Sequence, residues 1–103
     1  METDNKKLLL AAIDDYPKIT ESQKELLKTL LTLETEVNAT TIIEVVKLKK
    51  QSVYPNLRKL LDLQLIQKTN HRNAFYSINK NAMYEVIEFH KKKQKLLQNS
   101  SNK

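Results

Sequence analysis

A small, mainly helical domain with one antiparallel β-hairpin is the fold class this sequence predicts, and three observations predict it. Apolar residues recur at helical spacing in successive stretches, as in Leu8-Leu9-Ala12-Ile13 and Val53-Leu57-Leu60-Leu61. Two short runs with strand-like alternation, Leu65–Lys68 and Ala74–Ile78, are separated only by Thr69-Asn70-His71-Arg72-Asn73. At 103 residues the chain has room for one core and one domain. That domain is expected over residues 1–98, with a core at 20–79, terminal helices at 4–15 and 81–98, and a disordered tail at 99–103.

Thr3 or Asp4 can cap a first helix that ends near Asp15, because the residue before Pro17 avoids the helical region. Thr20 or Ser22 opens the second helix, each with a capping-box partner three positions on, Gln23 and Glu25. Leu26, Leu27, Leu30, Leu31 and Leu33 form its apolar stripe, and it ends near Glu34. Thr35-Glu36-Val37-Asn38 reads as a connector or a very short strand. Asn38, Thr40 or Thr41 caps a short third helix that buries Ile42, Ile43 and Val46, with Val45 a further candidate.

The polar run from Lys47 to Gln51 is a turn with Leu48 facing inward, and Ser52 or Gln51 caps the fourth helix. On that reading Pro55 lies in the first turn, where amide protons have no helical partner. Val53, Leu57, Leu60 and Leu61 face inward; Tyr54, Asn56, Arg58, Lys59 and Asp62 face outward. Two short helices joined by a tight turn, the second with a polar outer face, make a helix-turn-helix. After the hairpin a last helix is expected from Asn81 to Gln98, buried through Met83, Val86, Ile87 and Phe89. In the hairpin turn, asparagine is the residue best suited to a left-handed backbone, since the chain has no glycine.

Composition excludes whole classes of function. Without glycine there is no glycine-rich phosphate loop or dinucleotide fingerprint, and without cysteine no disulfide or thiolate metal site. A reducing cytoplasm is the expected location. The longest apolar run, Leu8 to Ile13, is too short for a membrane span or a signal-peptide core. His71 and His90 have no carboxylate or second histidine at metal-ligand spacing, and no serine sits in a nucleophile elbow. No enzyme, no cofactor and no small-molecule ligand is therefore expected.

Charge is divided along the chain. Residues 1–46 carry five lysines against nine acidic residues; residues 47–103 carry eleven lysines and two arginines against three acids. Both arginines, Arg58 and Arg72, lie in the segment Gln51–Ile78. A basic half concentrated around one helix, one hairpin and a tail suits a polyanion-binding surface.

The run from Ser22 to Ile78, 57 of the 103 residues, resembles winged helix-turn-helix DNA-binding domains of the MarR, ArsR and PadR type. The resemblance is one of pattern: TTIIEVVKLKKQSVYPNLRKLLDLQLIQKTNHRNAFYSI follows their order of helix, turn, helix and wing. It implies that the helix at 52–62 enters the major groove of double-stranded DNA and that the wing touches backbone or minor groove. It also implies a homodimer paired through the terminal helices.

Site residues follow as expectations. Arg72 at the wing tip suits a narrow minor groove or a phosphate, and Asn70, His71 and Asn73 can bond base edges or phosphates. Arg58, Gln51, Ser52, Tyr54 and Asn56 are the major-groove candidates. Lys47, Lys49, Lys50, Lys59 and Lys68 are expected to make salt-dependent phosphate contacts. The leading reading is a small transcriptional regulator. One alternative is a plasmid or mobile-element accessory protein at a transfer or replication origin; another is a winged helix used for protein–protein contact, against which the basic bias counts.

Overall fold

The computed structural model describes residues 2–69 and 74–101, with side chains described from Lys6 to Leu96 outside the gap. Five helices and three short strands follow one another as α1 (Glu2–Asp15), α2 (Glu21–Leu33), β1 (Val37–Asn38), α3 (Ala39–Val45), α4 (Lys50–Asp62), β2 (Ile66–Lys68), β3 (Phe75–Ile78) and α5 (Lys80–Ser101).

Capping chemistry places the helix starts. At α2 the Thr20 amide donates to Gln23 Oε1 (3.0 Å) and the Gln23 amide donates to Thr20 Oγ1 (3.3 Å), the reciprocal capping box. Asn38 caps α3, its Oδ1 accepting the Thr41 amide at 2.9 Å. Asn79 does the same service for α5 through the Asn81 amide, and its Nδ2 donates back to the Gln64 carbonyl at 2.8 Å. One side chain thus ties the start of α5 to the turn between α4 and β2.

Two helix ends require a left-handed residue, and no glycine is present to supply it. Glu34 closes α2 at φ 59°, and Gln64 follows α4 at φ 62°. Each costs about 1 kcal/mol relative to a residue without a Cβ. The Lys6 ammonium, 3.3 Å from the Glu34 carboxylate, anchors the first of these turns to α1.

The sheet has strand order β1-β3-β2, all antiparallel. Val37 pairs with Tyr76, while Ile66 and Lys68 pair with Ile78 and Tyr76. The connector before α3 is therefore a strand, and the hairpin grows to three strands. Thr69 closes the base of the wing: its amide donates to the Phe75 carbonyl (3.0 Å) and its hydroxyl accepts from the Phe75 amide (3.1 Å).

A single core joins all of these elements. Ala12 and Ile13 of α1, Leu26, Leu27 and Leu30 of α2, Ile42 of α3, Val53, Leu57 and Leu60 of α4, and Met83 and Val86 of α5 are buried together with Leu65, Ile66 and Tyr76. Burial of each large aliphatic side chain contributes about 1.5–3 kcal/mol, which holds the two terminal helices onto the rest of the domain.

Three expectations need correction. Val45 is half exposed rather than buried, because α3 is only two turns long and turns that side chain away from α2. Phe89 is also partly exposed; it packs edge-on against Tyr16 with ring centroids 6.1 Å apart instead of entering the core. Helix α5 runs to Ser101, so the expected tail at 99–103 is helical for its first three residues. No described helix is long and apolar enough to cross a membrane.

Candidate nucleic-acid interface

Helix α4 begins at Lys50, two residues before the expected cap at Ser52. Lys49 holds the N-cap position without a side-chain bond, and Ser52 instead folds its hydroxyl back onto the Lys49 carbonyl at 2.9 Å. Pro55 is consequently the sixth residue of the helix and lies beyond the first turn, a second correction to the sequence-based reading. Lacking an amide proton, it leaves the Gln51 carbonyl without its usual donor four residues on.

Helical spacing then divides the polar side chains of α4 into two stripes. Gln51, Tyr54 and Arg58 share one face, are all exposed, and form the outward surface of the helix-turn-helix. Ser52 and Asn56 lie toward α2 and are half-buried. Asn56 is occupied on both sides: its Oδ1 accepts from Gln23 Nε2 at 3.1 Å, and its Nδ2 donates to the Ser52 carbonyl at 2.7 Å. Asn56 was expected to face outward; the structure turns its amide into the protein.

The cations form a coherent set. Lys47, Lys49 and Lys50 in the turn, Arg58 and Lys59 on α4, and Lys68 at the end of β2 are all exposed. Among the described residues none of the six takes part in an ion pair. By contrast Lys6, Lys18, Lys24, Lys28 and Lys93 each face a carboxylate within 4 Å, all of them around α1, α2 and α5. Asp14, Glu21, Glu25 and Glu34 thus pair with Lys6, Lys24 and Lys28, while Asp15 and Glu85 face Lys93 and Lys18; Lys7, Lys80, Lys91, Lys92 and Lys95 are exposed and, among the described residues, unpaired like the six.

Tyr54 stands 54% exposed, which puts its phenol on the outward surface and not on the core. Beneath it, Tyr76 is buried in β3; burial raises its phenol above the ordinary value, and the nearby Tyr54 adds to the effect. The buried Tyr76 phenol therefore keeps its proton. Asn70, His71, Arg72 and Asn73, the expected wing contacts, lie outside the described residues.

Sequence reasoning missed two arrangements. Gln23 was legible as a capping-box partner, but its second bond to Asn56, 33 residues away, was not. Asp15 and His90 are 75 residues apart and meet at the α1–α5 junction, with Nδ1 2.6 Å from Oδ2. A proline inside α4 is the one sequence signal for the first, since a helix deprived of a backbone donor gains from side-chain support nearby.

No family model matches the chain, and no curated protein matches it in sequence. Solved structures do match its shape. A protein of the thermoacidophilic archaeon Sulfolobus tokodaii superposes with a TM-score of 0.60 at 22% identity, over 95% of this chain and 99% of that one. The zinc-responsive MarR family member ZitR of Lactococcus lactis gives 0.56 at 21% identity, over 86% of this chain and 63% of ZitR. An ArsR-like transcriptional regulator from Rhodococcus sp. RHA1 gives 0.60 at 14% identity, over 99% of this chain and 92% of that one. At such identities the likeness is one of fold. The order α2-β1-α3-α4-β2-β3, flanked by α1 and α5, gives this chain the winged helix-turn-helix fold of MarR-family and ArsR-like regulators.

Proposed function

We propose that the chain is a small transcriptional regulator that binds double-stranded DNA through α4 and the wing. The observation that carries this reading is the clustering of six exposed cations on the helix-turn-helix and β2, none of them ion-paired among the described residues, with Arg58 beside Gln51 and Tyr54 on the outward face of α4. Free cations release counterions on meeting a phosphate backbone; cations already paired gain less. Gln51, Tyr54 and Arg58 are the side chains available to base edges in the major groove, and Arg58 can pair with guanine in bidentate fashion. Lys47, Lys49, Lys50, Lys59 and Lys68 position the protein on phosphates. Arg72, with Asn70, His71 and Asn73, reaches minor groove or backbone from the wing tip.

The regulator reading draws support from the MarR-family and ArsR-like proteins that share the fold. Origin marking on a mobile element gains no support from these neighbours. Pairing of two copies through the terminal helices belongs to the same proposal. Tyr84 and Leu96 of α5 stand largely exposed, and a groove of about 1160 Å³ beside α1 and α5 is lined by Leu8, Leu9, Leu31, Ile78 and Ile87. A two-fold dimer sets two recognition helices on half-sites about one DNA turn apart.

Selection of bound duplexes from a random library at near-physiological salt tests the reading. A repeated motif with a fixed half-site spacing is the expected result. Salt-sensitive retention without a motif would replace the regulator with an architectural DNA binder, and no retention would remove DNA from the account.

A further inference from the structure

We propose that Gln23 is a positioning residue for the recognition helix, acting through Asn56 to set the orientation of the first turn of α4. This inference rests on the reading of α4 as the DNA-contacting helix. A chain of four bonds carries it. The Thr20 amide donates to Gln23 Oε1, and Gln23 Nε2 donates to Asn56 Oδ1. Asn56 Nδ2 then donates to the Ser52 carbonyl, and the Ser52 hydroxyl donates to the Lys49 carbonyl. Each donor meets an acceptor, so both amide orientations are dictated by the network and neither can flip without losing two bonds.

The location of the chain of bonds gives it a purpose. Gln23 is the one polar side chain among the buried residues described, 7% exposed at the interface of α2 and α4. A glutamine there is not needed for capping, because glutamate at the same position satisfies the same box. Its amide nitrogen does what glutamate cannot: it donates to Asn56. Pro55 removes a backbone bond in this turn, and Lys49 offers no side-chain cap, so the segment from Lys50 to Tyr54 is short of local support. Asn56 supplies a side-chain donor to the carbonyl next to the unsatisfied one, and Gln23 locks Asn56 in that rotamer. Gln51 and Tyr54, two of the three outward candidates for base contact, sit on the turn held this way.

Gln23→Glu separates the two roles of the residue. It keeps the acceptor for Thr20, so the capping box is retained, and it replaces the donor to Asn56 with a carboxylate oxygen; an Asn56 amide that turns to donate to that oxygen gives up its bond to the Ser52 carbonyl. Asn56→Ala removes the link from the other side. The folded variants are compared with the wild type in two measurements: amide hydrogen exchange at Tyr54 and Asn56, and affinity for a selected against an unrelated duplex. Both variants are expected to exchange about tenfold faster at those amides, with Leu60 and Leu61 unchanged. Affinity for the selected duplex is expected to fall about tenfold, with the unrelated duplex and the salt dependence unaltered. The double variant should be no worse than either single one. Unchanged exchange, or equal losses on both duplexes, would overturn the proposal. If the wild type retains no duplex, the DNA reading fails by itself and the exchange measurement alone decides the positioning role.

Discussion

His90 on α5 meets Asp15 at the end of α1 with Nδ1 2.6 Å from Oδ2, and Lys93 approaches the other carboxylate oxygen at 3.5 Å. With an ionised carboxylate as partner, Nδ1 is the donor. Beside the pair, Tyr16 and Phe89 stack edge to face and Lys18 reaches Glu85, so three residues around the α1 terminus grip α5. The partial burial of Asp15 works to raise its carboxyl, but the His90 bond and the charges of Lys93 and His90 outweigh it, and the group lies below its ordinary value of 3.8.

A carboxyl held low in the folded state stabilises the protein wherever the unfolded chain would still bind a proton. The contribution of Asp15 is therefore complete above about pH 4 and is lost as the pH falls through the lower, folded value. Urea denaturation between pH 2.5 and 7 should show this loss. Asp15→Asn should flatten that part of the profile and cost about 1 kcal/mol at neutral pH.

The six free cations divide by role. Arg58→Ala is expected to cost roughly 1–3 kcal/mol on the selected duplex and to relax preference at one base position. Lys59→Ala and Lys68→Ala should weaken all duplexes alike and each lower the salt slope by about 1. Titrations at several salt concentrations separate the two patterns. An Arg58 variant behaving like the lysine variants would make it a phosphate contact.

Gln64 holds a left-handed backbone at φ 62° without being glycine. Gln64→Gly relieves the Cβ conflict, while the Asn79 bond goes to the backbone carbonyl and survives. A gain of about 0.5–1 kcal/mol is expected, read as a higher urea midpoint at constant slope.

Pro55→Ala restores an amide donor to the Gln51 carbonyl inside α4. Relief of an interior proline should stabilise the helix by about 1–3 kcal/mol, less the entropy that proline removes from the unfolded chain. Thermal unfolding measures the gain. A neutral or destabilising result would mean that α4 bends around Pro55 at no cost.

Much of this protein was written in local pattern. The apolar periodicities of α1, α2 and α4, the Thr20–Gln23 box, the stop at Tyr16-Pro17 and the Asn38 cap are each decided by interactions within a few residues, and each was legible from the sequence. The exposure of Arg58 and Lys59 followed from the same periodicity, and that of Lys47, Lys49 and Lys50 from their place in a polar turn. The start of α4 was not legible, because Lys49 has no capping side chain and Pro55 argued for a later beginning. Nor was the left-handed turn at Gln64, where no glycine or asparagine marks the backbone.

What only the tertiary structure decided are the pairings between distant segments. Val37 becomes a strand because β3 offers it an edge, Asn56 turns inward because Gln23 offers it a donor, and the Asp15 carboxylate is held in place because α5 lays His90 against it. A residue's spacing reveals which face of its own element it occupies. It carries no information about which donor or acceptor another element will present to that face, and hydrogen bonds, unlike apolar burial, depend on that partner being within about 3 Å.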